Sequence, residues 1–97
     1  MDVVQGDFIW NIHKERMNIL KHDVSFSLAA AVFLDPKRAV FIDDKHRVNE
    51  DRYFCIGEVS GRVLTVRFTY RDQKIRIIGA GYWRKGKDHY EKAHTQQ

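Results

Sequence analysis

Glu50, Arg52, Arg67, Arg71 and Arg76 all fall within VNEDRYFCIGEVSGRVLTVRFTYRDQKIRIIGAG, residues 48–81, where β-branched and aromatic residues otherwise describe consecutive strands. Arginine keeps its charge and offers a planar fork that grips phosphate oxygens two at a time. A carboxylate held among such groups is able to accept a proton, and His46, just upstream, adds a side chain that titrates near neutrality. The chemistry these types support is the binding of a polyanion such as phosphate, with His46 as a group that can take or give a proton nearby, provided the fold brings them together.

Turn chemistry says how it does so. Ser60-Gly61 suits a two-residue hairpin link, because Gly tolerates the positive φ such turns require. That register sets Val59 opposite Arg62, Phe54 opposite Arg67, Arg52 opposite Thr69 and Glu50 opposite Arg71. A second turn at Asp72-Gln73 places Lys74 opposite Arg71, Arg76 opposite Thr69 and Ile78 opposite Arg67. Opposed residues share a face. One face therefore carries Tyr53, Cys55, Val59, Leu64, Val66, Phe68, Tyr70, Ile75 and Ile77, and belongs against helices. The other has Phe54, Ile56, Val63 and Ile78 at one end and Glu50, Arg52, Arg67, Thr69, Arg71, Lys74 and Arg76 at the other. So many cations beside one carboxylate invite a polyanion. The same pattern also suits a solvated sheet face with Glu50–Arg71 as an ordinary cross-strand pair, and the residues alone leave both readings open.

The elements upstream are shorter. Asn11 is a candidate N-cap for a helix over IHKERMNILKHD with Ile12, Arg16, Ile19 and Leu20 on one face, ended by Asp23. Ser25 caps a second helix, FSLAAAVF, which buries Phe26, Ala29, Ala30 and Phe33 and stops at Asp35-Pro36. AVFIDD is a strand, KHRVNE a charged loop, and the segment from Trp83 to Ala93 a late helix. Disorder is expected at 1–6 and 94–97. The order is helix, helix, four strands and a terminal helix, an α+β fold in which two N-terminal helices pack on a small antiparallel four-stranded sheet.

Ninety-seven residues make one domain, with 43% hydrophobic residues, a single Pro and a formal charge of +4. The charge leans toward polyanionic partners. The lone Cys55 excludes an intrachain disulfide and falls on the core face, as a buried thiol rather than a nucleophile. MDVVQGDF lacks the features of a signal peptide and no run is long enough to span a membrane, so a cytoplasmic protein is expected. The histidines show no HExxH spacing and no CxxC is present, which calls for neither metal nor cofactor. IGAGYWRKGK matches no phosphate-loop pattern. Its Tyr82 and Trp83 beside Arg84, Lys85 and Lys87 can stack bases on a basic strip, or cover a sheet edge or contact a protein partner.

FIWN, NILKHDVSFSLA and VFLDP resemble the opening of the BrnT toxin family, whose pattern runs roughly F-x-W-D, N-x-x-K-H-G-V-S-F-x-x-A and V-F-x-D-P. His46, Glu50-x-Arg52, Ile56-Gly57, Gly61-Arg62-Val63-Leu64, Thr69-x-Arg71 and Ile75-Arg76-Ile77-Ile78 continue the resemblance, which covers about Phe8 to Ala80. It implies a RelE-like fold and a type II toxin that cleaves RNA to inhibit translation. It further implies neutralisation by a separate BrnA-like antitoxin, through which alone operator DNA is contacted. On that reading His46, Glu50, Arg52, Arg71 and Arg76 are the catalytic set, with Lys21, Arg67, Lys74, Arg84 and Lys85 toward RNA. The departures are Asn11 for Asp, Asp23 for Gly, and Gly79-Ala80-Gly81 where the family has Ser-Ala-Arg. The missing Arg motivates a second reading, a weakened or inactive module that binds antitoxin or RNA without cleavage.

Overall fold

The computed structural model describes residues 1–46 and 49–95, with the side chains of His46 and Thr95 excepted. Strands β1 (Asp2–Gln5) and β2 (Phe8–Asn11) form a hairpin whose link carries Gly6 at φ 60°. Helix α1 (Ile12–His22) follows at once, and α2 (Phe26–Ala31) runs into a 3-10 turn at Val32–Leu34. Then come β3 (Ala39–Ile42), a 3-10 turn at Asp44–His46, β4 (Tyr53–Val59), β5 (Arg62–Arg71), β6 (Lys74–Gly81) and α3 (Arg84–Thr95).

The sheet has six strands in the order β1-β2-β6-β5-β4-β3. The expected four-stranded antiparallel sheet is therefore corrected in count and in kind. Residues 1–6, expected to be disordered, hold an edge strand, and β2 pairs with β6 in parallel through Phe8–Ile75 and Ile9–Arg76. DVVQ and FIWN are each four residues long, too short for periodicity to announce a strand.

Capping chemistry sets the helices as the sequence indicates. Asn11 accepts from the amides of His13 and Lys14, Ser25 from Leu28, and Asp23 closes α1 in the left-handed region at φ 57°. The face of α1 does not follow the expectation. Ile19 and Leu20 are 41% and 79% exposed and Arg16 faces solvent, whereas Asn18 is buried. The reason lies in β2, which pairs with only the first part of β6. Beyond it α1 takes the edge, and the Asn18 amide donates to Ala80 O and accepts from Ala80 N, as a strand would, while also donating to Val24 O. Glu15 ties the same corner, receiving the Trp10 indole N–H at 3.1 Å and the Phe26 amide at 2.8 Å.

Both tight turns form as read. Ser60 and Gly61, and Asp72 and Gln73, all have positive φ, the signature of type I′ links whose twist suits flanking strands. Val59–Arg62, Phe54–Arg67, Thr69–Arg76 and Arg71–Lys74 pair as expected. Arg67 does not face Ile78. A bulge leaves Ile78 as the extra residue, so Arg67 pairs with Gly79 and Phe68 with Ile77.

Cys55, Leu64, Val66, Phe68, Ile77 and Ala80 join Trp10, Val24, Phe26, Ala29 and Val32 in the buried core. Burial pushes the Cys55 thiol up to about 12. Tyr70, expected inward, is 59% exposed near the end of β5. On the opposite face, Gly86 of α3 lies directly over Thr65, which shares its face with Arg67. Hence α2 covers one side of the sheet and α3 the apolar end of the other, leaving the charged end open.

Candidate functional site

Glu50 and Arg52 belong to the loop that enters β4 rather than to its ladder, so the expected strand pairs Glu50–Arg71 and Arg52–Thr69 are not formed as such. The loop is fastened all the same. Asp51 O accepts the Thr69 hydroxyl at 2.7 Å and Arg52 O accepts the Asp43 amide at 2.7 Å. This delivers the Glu50 carboxylate to Arg71 Nη2 at 2.9 Å, with Arg52 Nε at 3.7 Å. The Arg71 hydrogen bond, which outweighs partial desolvation, and the charges of Arg71, Arg52 and Lys14 hold Glu50 below the usual carboxylate range. Glu50 is thus ionised at neutral pH, able to accept a proton and not to donate one.

Arg76 stands on the same face, engaged by Asp2 at 2.9 Å. Asp2 is held low first by that hydrogen bond, and the Arg71 charge adds to it. Because it lies on the short first strand, Asp2 escaped the sequence reading. Lys74 turns aside, its ammonium donating to Gly6 O at 3.1 Å. The side chain of His46 and residues 47 and 48 lie outside the described residues.

Beside this cluster, between α1 and the β5–β6 bulge, opens a cleft of about 390 Å³ lined by His13, Lys14, Met17, Asn18, Lys21, His22, Arg67, Ile78, Gly79 and Trp83. Lys21 and Arg67 meet here as RNA-binding candidates would need to. Arg84 and Lys85 do not line it; both are exposed at the start of α3. Trp83, read as a base-stacking candidate beside Arg84, Lys85 and Lys87, instead lines this cleft with His13, Lys14 and His22, which the sequence did not single out, because a helix and the residue after a strand converge only through the bulge. Gly81, at the position where the resemblance expects Arg, lies under the Trp83 indole, and a Cβ there would come within 2.6 Å of the ring. A larger cavity, about 510 Å³, includes Asp35 and Glu58 among its walls and is a poorer match for an anion.

Comparison with protein families decides the lineage: the sequence profile described as "Ribonuclease toxin, BrnT, of type II toxin-antitoxin system" matches residues 10–86. The chain belongs to the BrnT family. A search of curated proteins gives no match. The BrnT assignment makes this a toxin-type chain of a ribonuclease family, with an antitoxin as its partner class. Among the described residues no helix is long and apolar enough to cross a membrane, and no three His, Cys, Asp or Glu side chains gather as a metal ion would require.

Proposed function

We propose that this BrnT chain is a metal-independent endoribonuclease that inhibits translation by cutting RNA at the Glu50–Arg71 cluster, and that a BrnA-like antitoxin silences it. The observation that carries the reading is the ionised Glu50 carboxylate set between Arg71 and Arg52 on an open cationic sheet end.

The chemistry follows from those groups. Glu50 removes the proton of an RNA 2′-hydroxyl as that oxygen attacks the adjacent phosphorus. The P–O5′ bond breaks, an acid protonates the departing 5′-oxygen, and the strand ends in a 2′,3′-cyclic phosphate. Since the lowered Glu50 cannot supply that proton, the acid role falls to His46. Arg71 and Arg52 neutralise charge gathering on the phosphoryl oxygens, normally the largest electrostatic contribution to such a step. Arg76 supports them from the far side, exchanging Asp2 for phosphate when RNA arrives.

Arg71 is half exposed, so its ion pair adds only about 0–1 kcal/mol to stability, and removing it leaves the fold in place. Induced expression of the wild type should arrest growth with loss of cellular RNA, Arg71→Ala should not, and a co-expressed BrnA-like protein should restore growth. Arrest by a folded Arg71→Ala protein would count against the assignment. The Trp83 indole over Gly81 favours one alternative, a module that binds RNA without cutting it; stable RNA and normal growth on expression of the wild type would support that module.

A further inference from the structure

The cleft beside α1 has an unusual charge inventory. Lys14, Lys21 and Arg67 bring three permanent cations, His13 and His22 add imidazoles, and no carboxylate lines it among the described residues. The Arg67 Nε is buried and finds no acceptor among them. Its neighbour across the strand pair is Gly79, which contributes no side chain to the floor. With no carboxylate in the cleft wall these cations repel one another, Glu50 reaching only Lys14 from outside it, and burial deepens the cost for the Arg67 Nε. An incoming anion relieves it.

The wall is aromatic. Trp83 is half-buried, folded back over Gly81, and meets the His22 ring edge to face at 5.3 Å between centroids. An indole backed by Gly81 and steadied by the edge-type contact with His22, in a cleft of about 390 Å³, offers ring surface of the kind on which nucleic-acid bases stack.

We infer that this cleft is a nucleotide subsite for single-stranded RNA, with a base stacked on Trp83 and its phosphate held by Arg67, Lys21 and Lys14. The inference rests on the ribonuclease reading and deepens it, placing next to the cut a nucleotide the enzyme holds without cleaving. Arg67 and Arg71 share a sheet face and lie about 13 Å apart at ~3.3 Å per residue, and Lys14 is close enough for its charge to act on Glu50. The strand therefore runs from the cleft to the reacting carboxylate.

The test is a titration with a short, fully 2′-O-methylated RNA, which binds but cannot be cleaved, followed by tryptophan fluorescence and by anisotropy of a labelled copy. Trp10 is 1% exposed, so the fluorescence change reports on Trp83. Binding should quench wild-type fluorescence, and Trp83→Phe should lose that signal. Kd should rise at least tenfold in Arg67→Ala and severalfold in Lys21→Ala and Trp83→Ala. Lys21 is exposed, so its variant decides the matter should Arg67→Ala fail to fold. No binding by the wild type, unchanged affinity in folded variants, or equal affinity for polyglutamate of matched charge would overturn the subsite. Binding as described with no cleavage of the unmodified RNA would sustain the subsite and defeat the ribonuclease reading; cleavage with unaltered binding in the variants would do the reverse.

Discussion

Glu50 draws its proposed role from its neighbours. Without Arg71 and Arg52 it would be an ordinary loop carboxylate; between them it stays ionised into acid. Glu50→Gln should lower the cleavage rate by about 100- to 10,000-fold, the usual contribution of a positioned base. Arg71→Ala should cost about 100- to 1,000-fold, as for a lost donor to a developing anion. The pH profile should be bell-shaped, its acid limb lying below the ordinary carboxylate range because Arg71 holds Glu50 low and its alkaline limb set by the proton donor. An alkaline limb that survives His46→Ala would remove that residue from the acid role. Asp35 predicts a separate pH effect. Burial opposes its ionisation, yet hydrogen bonds from the Tyr90 hydroxyl and the Glu58 and Lys37 amides prevail and hold it low. A depressed carboxylate contributes stability that is present above its unfolded pKa and lost as pH falls through the folded one. Denaturant melts of Asp35→Asn should accordingly show less acid sensitivity below about pH 4 than those of the wild type.

Among the elements, α1 is held to β6 by polar bonds where a buried apolar stripe was expected. Asn18→Ala strands the Ala80 N–H and C=O and the Val24 carbonyl in a buried setting. At about 1–3 kcal/mol for each unsatisfied group, denaturant unfolding should show a loss of several kcal/mol. Leu20→Ala, at a more apolar but 79% exposed position, should change stability by less than about 0.5 kcal/mol. α3 meets the sheet through Gly86, where an added Cβ would overlap the Thr65 hydroxyl. Gly86→Ala should therefore destabilise by about 1–3 kcal/mol despite alanine's better helix propensity. Thr65→Ala should recover part of the loss in a double-mutant cycle. These contacts also mark where reading the sequence stopped. Caps at Asn11 and Ser25 and turns at Ser60-Gly61 and Asp72-Gln73 were legible because each depends on local backbone chemistry. The alternation that separated core from charged face was legible for the same reason, up to Arg67. The bulge at Ile78, the parallel β2–β6 pair and the inward Asn18 depend on which distant strand supplies a partner, and no local pattern carries that.

Across the whole molecule, a formal charge of +4 gains meaning from its distribution. α2 seals one sheet face, α3 the apolar end of the other, and the remaining surface joins the Glu50 cluster to the cleft of Lys14, Lys21 and Arg67. RNA binding should weaken steeply with salt, by a log–log slope of about −0.7 for each phosphate contacted. Bordering that surface through the Arg52 loop, β3 is an edge strand with Val40, Phe41 and Ile42 each at least 40% exposed. Exposed edges of this kind are ready to pair with another chain. The most direct measurement of the central claim is incubation of end-labelled RNA with the purified chain in EDTA, beside Glu50→Gln and Arg71→Ala, with the product ends mapped. The wild type should leave 2′,3′-cyclic phosphate ends and either variant almost none; intact RNA with a folded wild-type chain, or cleavage that both variants retain, would contradict a Glu50–Arg71 ribonuclease.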